Sequence, residues 1–141
     1  MKFQCTRYGY ALRLDPGEEI VATLREFASR EGLRCGLISG LGAVGNVELG
    51  YFVRGSGAYL SRVLEGEFEI LSLTGNLSEL DGAPFPHCHI VVGGTDFSAQ
   101  GGHLFRGTVT VTCEVQIVSD PGVLRRLRGA GAFSPLEPAE G

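Results

Sequence analysis

The 141-residue chain has a single lysine, Lys2, and eleven scattered arginines whose one local cluster is "LRRLR" at 124–128. Its formal net charge is −4. Non-specific binding to nucleic acid relies on clustered Lys and Arg, so the balance argues against DNA contact by this chain alone. "LRRLR" reads as a solvated C-terminal helix turn. No run approaches the ~20 apolar residues that span a bilayer. The opening "MKFQCTRYGYALRL" alternates apolar and polar residues and does not read as a secretory leader, so the cytoplasm is the expected location. Cys5, Cys35, Cys88 and Cys113 form no CxxC pair. They are expected to be reduced thiols, three of them small residues in apolar, strand-like surroundings. There is no GxSxG elbow and no recognisable Cys/His arrangement, so nucleophilic catalysis has no support.

What is present suits one domain, without internal repeat or linker. "RYGYALRL" (7–14) reads as a strand with Tyr8, Tyr10, Leu12 and Leu14 on one face. In "DPGEEIVATLREFASREG", Asp15 is the expected N-cap, Pro16 the first helical residue and Glu18 the partner in a capping box. Ile20, Val21, Leu24, Phe27 and Ala28 form the apolar stripe, and Gly32 ends the helix. Residues 33–53 read as two strands about a glycine-rich turn, and 57–66 with 67–78 as a pair turning near Gly66. Residues 85–94 form another strand. In 108–118, Val109, Val111, Cys113, Val115 and Ile117 alternate against Thr and Glu/Gln positions. The expected class is α+β: a mixed, mostly antiparallel sheet covered by one main helix. Residues 1–128 form the domain, and 129–141 are expected as a loose, Gly/Pro/Ala-rich tail.

"GLGAVG" (40–45) matches GxGxxG literally. A dinucleotide site needs a helix after the third glycine to hold the pyrophosphate, and "NVELGYF" continues with strand periodicity. The motif therefore reads as a tight turn between strands, where glycine supplies positive φ.

All three histidines fall in "PFPHCHIVVGGTDFSAQGGHL" (84–104). On a strand His87 and His89 project from one face, with Cβ atoms about 6.5–7 Å apart. Cys88 points the other way with Ile90 and Val92. "GTDFSAQGG" can reverse the chain and bring His103 alongside. Gly101 and Gly102 would permit close backbone approach or a left-handed residue before it. Three neutral imidazoles with one open position are a catalytic-type zinc set, and a metal there could polarise a carbonyl or activate water. Glu114, Asp81 and Glu69 are candidate acceptors for the outer ring nitrogens. The competing reading is packing. A cupin would need a Glu shortly after His89, where Val91, Val92, Gly93 and Gly94 stand. A histidine-triad hydrolase would need a third His at Val91.

Five blocks in order carry a resemblance: "RLDPGEEIVATLREFA", "GLISGLGAVGNVELGYF", "GEFEILSLTGNLS", "PHCHIVVGG" and "GGHLFRGTVTVTCEV". Over roughly residues 7 to 118 the chain resembles the plants-and-prokaryotes-conserved (PPC) domain family, whose bacterial and archaeal members are often labelled predicted DNA-binding proteins. The resemblance implies a homotrimeric α+β domain. It also implies a metal, usually assigned as zinc, at the His-x-His and Gly-Gly-His positions, here His87, His89 and His103. In plants the domain follows an AT-hook and mediates self-association and partner binding. This chain has no AT-hook. Two functions follow as expectations. The first is a trimeric metal-binding module with a binding or regulatory role, whose metal is structural or holds a small ligand, and whose DNA contact would need a partner or a basic patch made by assembly. The alternative is a small zinc-dependent hydrolase or lyase, with Glu114 or another carboxylate as base.

Overall fold

The computed structural model describes residues 1–129 and 131–138. Along the chain lie β1 (Lys2–Thr6), β2 (Gly9–Leu14), α1 (Ile20–Arg30), β3 (Gly36–Val53), β4 (Ala58–Leu80), β5 (Ala83–Gly93), β6 (Ala99–Ser119), β7 (Arg125–Arg126) and β8 (Leu136–Glu137). They build one domain whose sheet is antiparallel except where Glu79 of β4 runs parallel to Arg125 of β7. The helix has 11 residues while β3, β4 and β6 have 18, 23 and 21, so α+β describes this sheet-dominated chain only loosely. Among the described residues no helix is long and apolar enough to cross a membrane.

The helix starts later than its sequence signals predict. Asp15 and Glu18 do pair, through the Asp15 N–H donating to Glu18 Oε2 at 2.6 Å. That pairing closes a turn outside the helix, because the neighbouring backbone is claimed by β6. Gly17 N–H donates to Val109 O and Val109 N–H to Glu18 O, each at 2.9 Å. The N-cap is Glu19, whose carboxylate accepts from Val21 N (3.1 Å), Ala22 N (2.7 Å) and Gly107 N (3.1 Å). It thus caps the helix and ties it to β6. Glu19→Ala should lower stability by about 1–2 kcal/mol, the usual worth of a cap, read as a lower urea midpoint with unchanged slope.

The predicted stripe is the buried one: Ile20, Val21, Leu24, Phe27 and Ala28 all face the core. Buried Val109, Cys113, Val115 and Ile117 of β6 also follow the expected alternation. Val111 does not, being 65% exposed. Between Cys113, which pairs with Gly42, and Val109, which pairs with Val44, β6 carries extra residues that bulge outward. Only Cys88 and Cys113 are buried; Cys35 is half-buried and Cys5 exposed, all as free thiols.

Two predicted turns are bends within continuous strands. β3 runs straight through "GLGAVG", pairing with β4 on one side and β6 on the other, with register shifts at Gly40/Gly42 and Gly45/Val47. Gly42 has φ 144°, and a Cβ there would lie 2.1 Å from Thr112 O, so this bulge requires glycine. β4 likewise runs through Gly66, opposite the second shift. The true hairpin joins Val53 to its partner Ala58. The bends let β3 and β5 each pair with both β4 and β6, closing the four strands into a ring.

"LRRLR" is not a helix turn. Arg125 and Arg126 form β7, which lies against β4 and pairs with β8. Of the predicted tail, residues 129 and 131–138 are described; Ala132 N–H donates to Gly57 O at 3.2 Å. Residues 130 and 139–141 lie outside the described residues.

Candidate metal centre

β5 alternates strictly: Pro84, Pro86, Cys88, Ile90 and Val92 are buried, which turns His87 and His89 to the opposite face. His103 of β6 stands directly across from His89 in the antiparallel register. The two strands meet closely because a Cβ on Gly101 would lie only 2.6 Å from Ile90 O. Close approach, rather than a left-handed conformation, is what "GG" supplies before His103.

The three rings form a triangle with centroid separations of 4.9 Å (His87–His103), 5.3 Å (His87–His89) and 5.5 Å (His89–His103). One nitrogen from each lies within 4.8 Å of the others, and His87 Nε2 is 3.1 Å from His103 Nδ1. Zinc–nitrogen bonds of about 2.0–2.1 Å in a tetrahedron need nitrogens about 3.3 Å apart. Modest ring movements would supply that, so the donor set fits a zinc-like ion.

Protonation favours the same use. Burial, then the charge of Arg126 and the neighbouring imidazoles, pushes His87 down to about 4. Burial, then His89 and Arg126, pushes His103 down to about 4. Both are neutral at pH 7, the form that binds metal. The unfolded chain takes up more protons than the folded one between the ordinary histidine value and about 4. These two groups therefore contribute stability above about pH 6.5 that is lost as pH falls toward 4.

Arg126 was not singled out by sequence, and it is 6% exposed. Its Nε donates to Ser78 Oγ (2.8 Å), Nη1 to Ser134 O (2.7 Å), and Nη2 to Asn76 Oδ1 (2.8 Å) and His87 Nδ1 (2.9 Å). A guanidinium only donates, so His87 Nδ1 accepts, and the neutral ring carries its hydrogen on Nε2 toward His103. A metal-bound histidine usually donates its outer N–H to an acceptor. At His87 a donor holds that position, so ligation by the neutral ring through Nε2 would require its hydrogen to move to Nδ1, with loss of the Arg126 hydrogen bond.

Among the described residues, none of the predicted carboxylates hydrogen-bonds to the rings. Asp81 accepts from Arg128 Nε at 2.8 Å. Glu69 pairs with Gly93 at the far end of β5. Glu114 lies opposite Arg13 and Leu41. Cys88 faces the core, where burial pushes its thiol up to about 12.

Beside the triangle lies a cavity of about 500 Å³. His87 and His103 form part of its wall with Tyr59, Phe85, Phe105, Phe133, Arg25, Arg126 and Arg128. Phe105 and Tyr59 pack on the His103 ring at centroid distances of 4.8 and 5.1 Å and fix its orientation.

The family model of the Plants and Prokaryotes Conserved (PCC) domain matches residues 6–120. The chain is similar to a candidate DNA-binding protein of Bacteroides thetaiotaomicron, with TM-score 0.92 and 27% identity over 96% of each chain. A plant- and prokaryote-conserved protein of Pyrococcus horikoshii is 30% identical, with TM-score 0.85, over 99% of this chain and 96% of its own. A metal-containing protein of Archaeoglobus fulgidus is 37% identical, with TM-score 0.75, over 84% and 82%. No curated protein matches the chain.

Proposed function

This chain belongs to the Plants and Prokaryotes Conserved domain family, and from that premise we propose that it is a trimeric, cytoplasmic, metal-binding module with a binding or regulatory role. His87, His89 and His103 hold the metal, and zinc is the ion their chemistry suits. The observation that carries this reading is the convergence of three imidazoles with donor nitrogens inside 4.8 Å. The similarity to a metal-containing archaeal protein supports it. A bound zinc would supply a Lewis acid able to polarise a carbonyl or phosphoryl oxygen; the chain's own residues orient the rings and wall the cavity.

Self-association draws support from the surface. Leu37 and Val118 are cross-strand partners, as are Tyr51 and Leu60, and all four are more than half exposed. Paired apolar side chains on an exposed sheet face are what subunit contacts cover. DNA association, suggested by the candidate DNA-binding relatives, runs through a partner protein, because this chain carries net charge −4. The alternative, a small zinc-dependent hydrolase or lyase, needs a general base within hydrogen-bond reach or one water of the reacting proton. Among the described residues lining the cavity beside the rings none is acidic, which favours the binding role.

The test is elemental analysis of tag-free protein, with mass by light scattering. The expected result is one zinc per chain and the mass of three chains. No metal after incubation with zinc would overturn the metal reading, and a monomeric mass would overturn the trimer.

A further inference from the structure

The cavity beside the histidines has a charge pattern that the metal does not explain. Among the described residues lining it, three are arginines, Arg25, Arg126 and Arg128, and none is acidic. Arg128 is paired with Asp81. Arg25 and Arg126 have no ion pair among the described residues, whereas Arg13, Arg30, Arg34 and Arg106 do. Arg126 is the unusual one, because it is buried. All its acceptors are neutral: a hydroxyl, a carbonyl, an amide and an imidazole. A buried cation without a counter-charge is unfavourable. Nη1 makes one hydrogen bond, to Ser134 O, which leaves one of its two hydrogens without an acceptor among the described residues.

We propose that this cavity binds a small organic anion, a carboxylate or phosphate monoester with an aromatic body, whose charged group pairs with Arg126 and Arg25. The volume of about 500 Å³ lies within the range of small-molecule sites. Tyr59, Phe85, Phe105 and Phe133 supply aromatic walls. The Arg126 guanidinium, 5.3 Å from the Phe85 ring centroid, places the charge-pairing group against one of those walls. The remaining Nη1 hydrogen of Arg126 can donate one charge-assisted hydrogen bond to a carboxylate or phosphate oxygen, and Arg25, which has no ion pair among the described residues, can present its planar fork to the same group. Arg25, on the exposed side of α1, reaches the same cavity from the opposite element. The proposal deepens the binding role inferred above and rests on that role, while the arginines act with or without a metal.

The test is calorimetric titration of the full chain, both metal-free and zinc-loaded, with phenyl phosphate, benzoate, inorganic phosphate and neutral benzyl alcohol. At least one aromatic anion should saturate at one per chain and bind about tenfold or more tighter than benzyl alcohol, the scale of a hydrogen bond to a charged group. The better of phenyl phosphate and benzoate identifies the charged group. Weaker binding of inorganic phosphate would show that the aromatic walls contribute. Arg126→Gln should lose about tenfold or more by the same argument. If it fails to fold, Arg25→Gln, on the helix surface, still reads the charge contribution as weakened binding. Anion binding without zinc uptake would uphold the proposal and sink the metal reading. Zinc uptake with aromatic anions binding no better than benzyl alcohol would do the reverse. Wild-type affinity in Arg25→Gln and in folded Arg126→Gln would also overturn the proposal.

Discussion

Replacing His103 with alanine should abolish stoichiometric zinc binding while leaving the chain folded. His103 faces His89 across the strand pair and lies 3.1 Å from His87 through its Nδ1, so it joins the other two donors. Without it the site falls to two imidazoles from a single strand. Removing a mere outer hydrogen-bond partner of a metal ligand costs roughly 10–100-fold in affinity, and loss of a ligand should exceed that. The fold should survive because His103 is half-buried at a cavity wall, while its neighbour Leu104 points into the core. The check is zinc content by elemental analysis beside a thermal melt. Wild-type protein should melt higher with zinc than with chelator, because a ligand of the native state stabilises it. In His103→Ala the two melts should coincide. Retention of one zinc per chain by the variant would show that the metal sits elsewhere.

Phe27→Ala should do the opposite, costing about 3–5 kcal/mol of stability with zinc stoichiometry unchanged in the folded population. Phe27 is 1% exposed and among the largest fully buried side chains. Its ring meets Phe3 and Tyr10 edge-on, each at a centroid distance of 5.1 Å, so it fastens α1 to β1 and β2. None of those contacts belongs to the histidine triangle. Urea unfolding followed by circular dichroism gives the stability change, and zinc analysis below the midpoint gives the site's integrity. A loss under about 1 kcal/mol would mean that the surrounding core collapses into the space far better than such cores usually do.

Features readable from sequence were those decided by local periodicity. The apolar spacing of α1 named its buried face, and alternation along β5 put His87 and His89 together with Cys88 facing away. The five motif blocks pointed to the family, whose model matches residues 6–120. What sequence could not decide depends on neighbours far along the chain. Gly42 and Gly66 both have positive φ, which suits a turn or a bulge equally. Only continuous pairing on the flanking strands shows that β3 and β4 bend rather than reverse. The Asp15–Glu18 pair forms as predicted, yet the helix waits for Glu19 because β6 takes the intervening backbone hydrogen bonds. Arg126 offered no local sign of its role. It differs from Arg125 only by pointing inward, toward Asn76 and His87, 50 and 39 residues earlier in the chain.

The ring formed by β3, β4, β5 and β6 has one short join, where His89–Gly93 runs beside Ala99–His103. A loop of strands tends to part first where it is stitched least. The histidines straddle one end of that seam, two on β5 and one on β6. An ion shared among them would act as a clasp on the seam as well as an occupant of the site. Binding would then be felt by every strand in the circuit, and loss of the ion would register as breathing of the whole barrel-like ring.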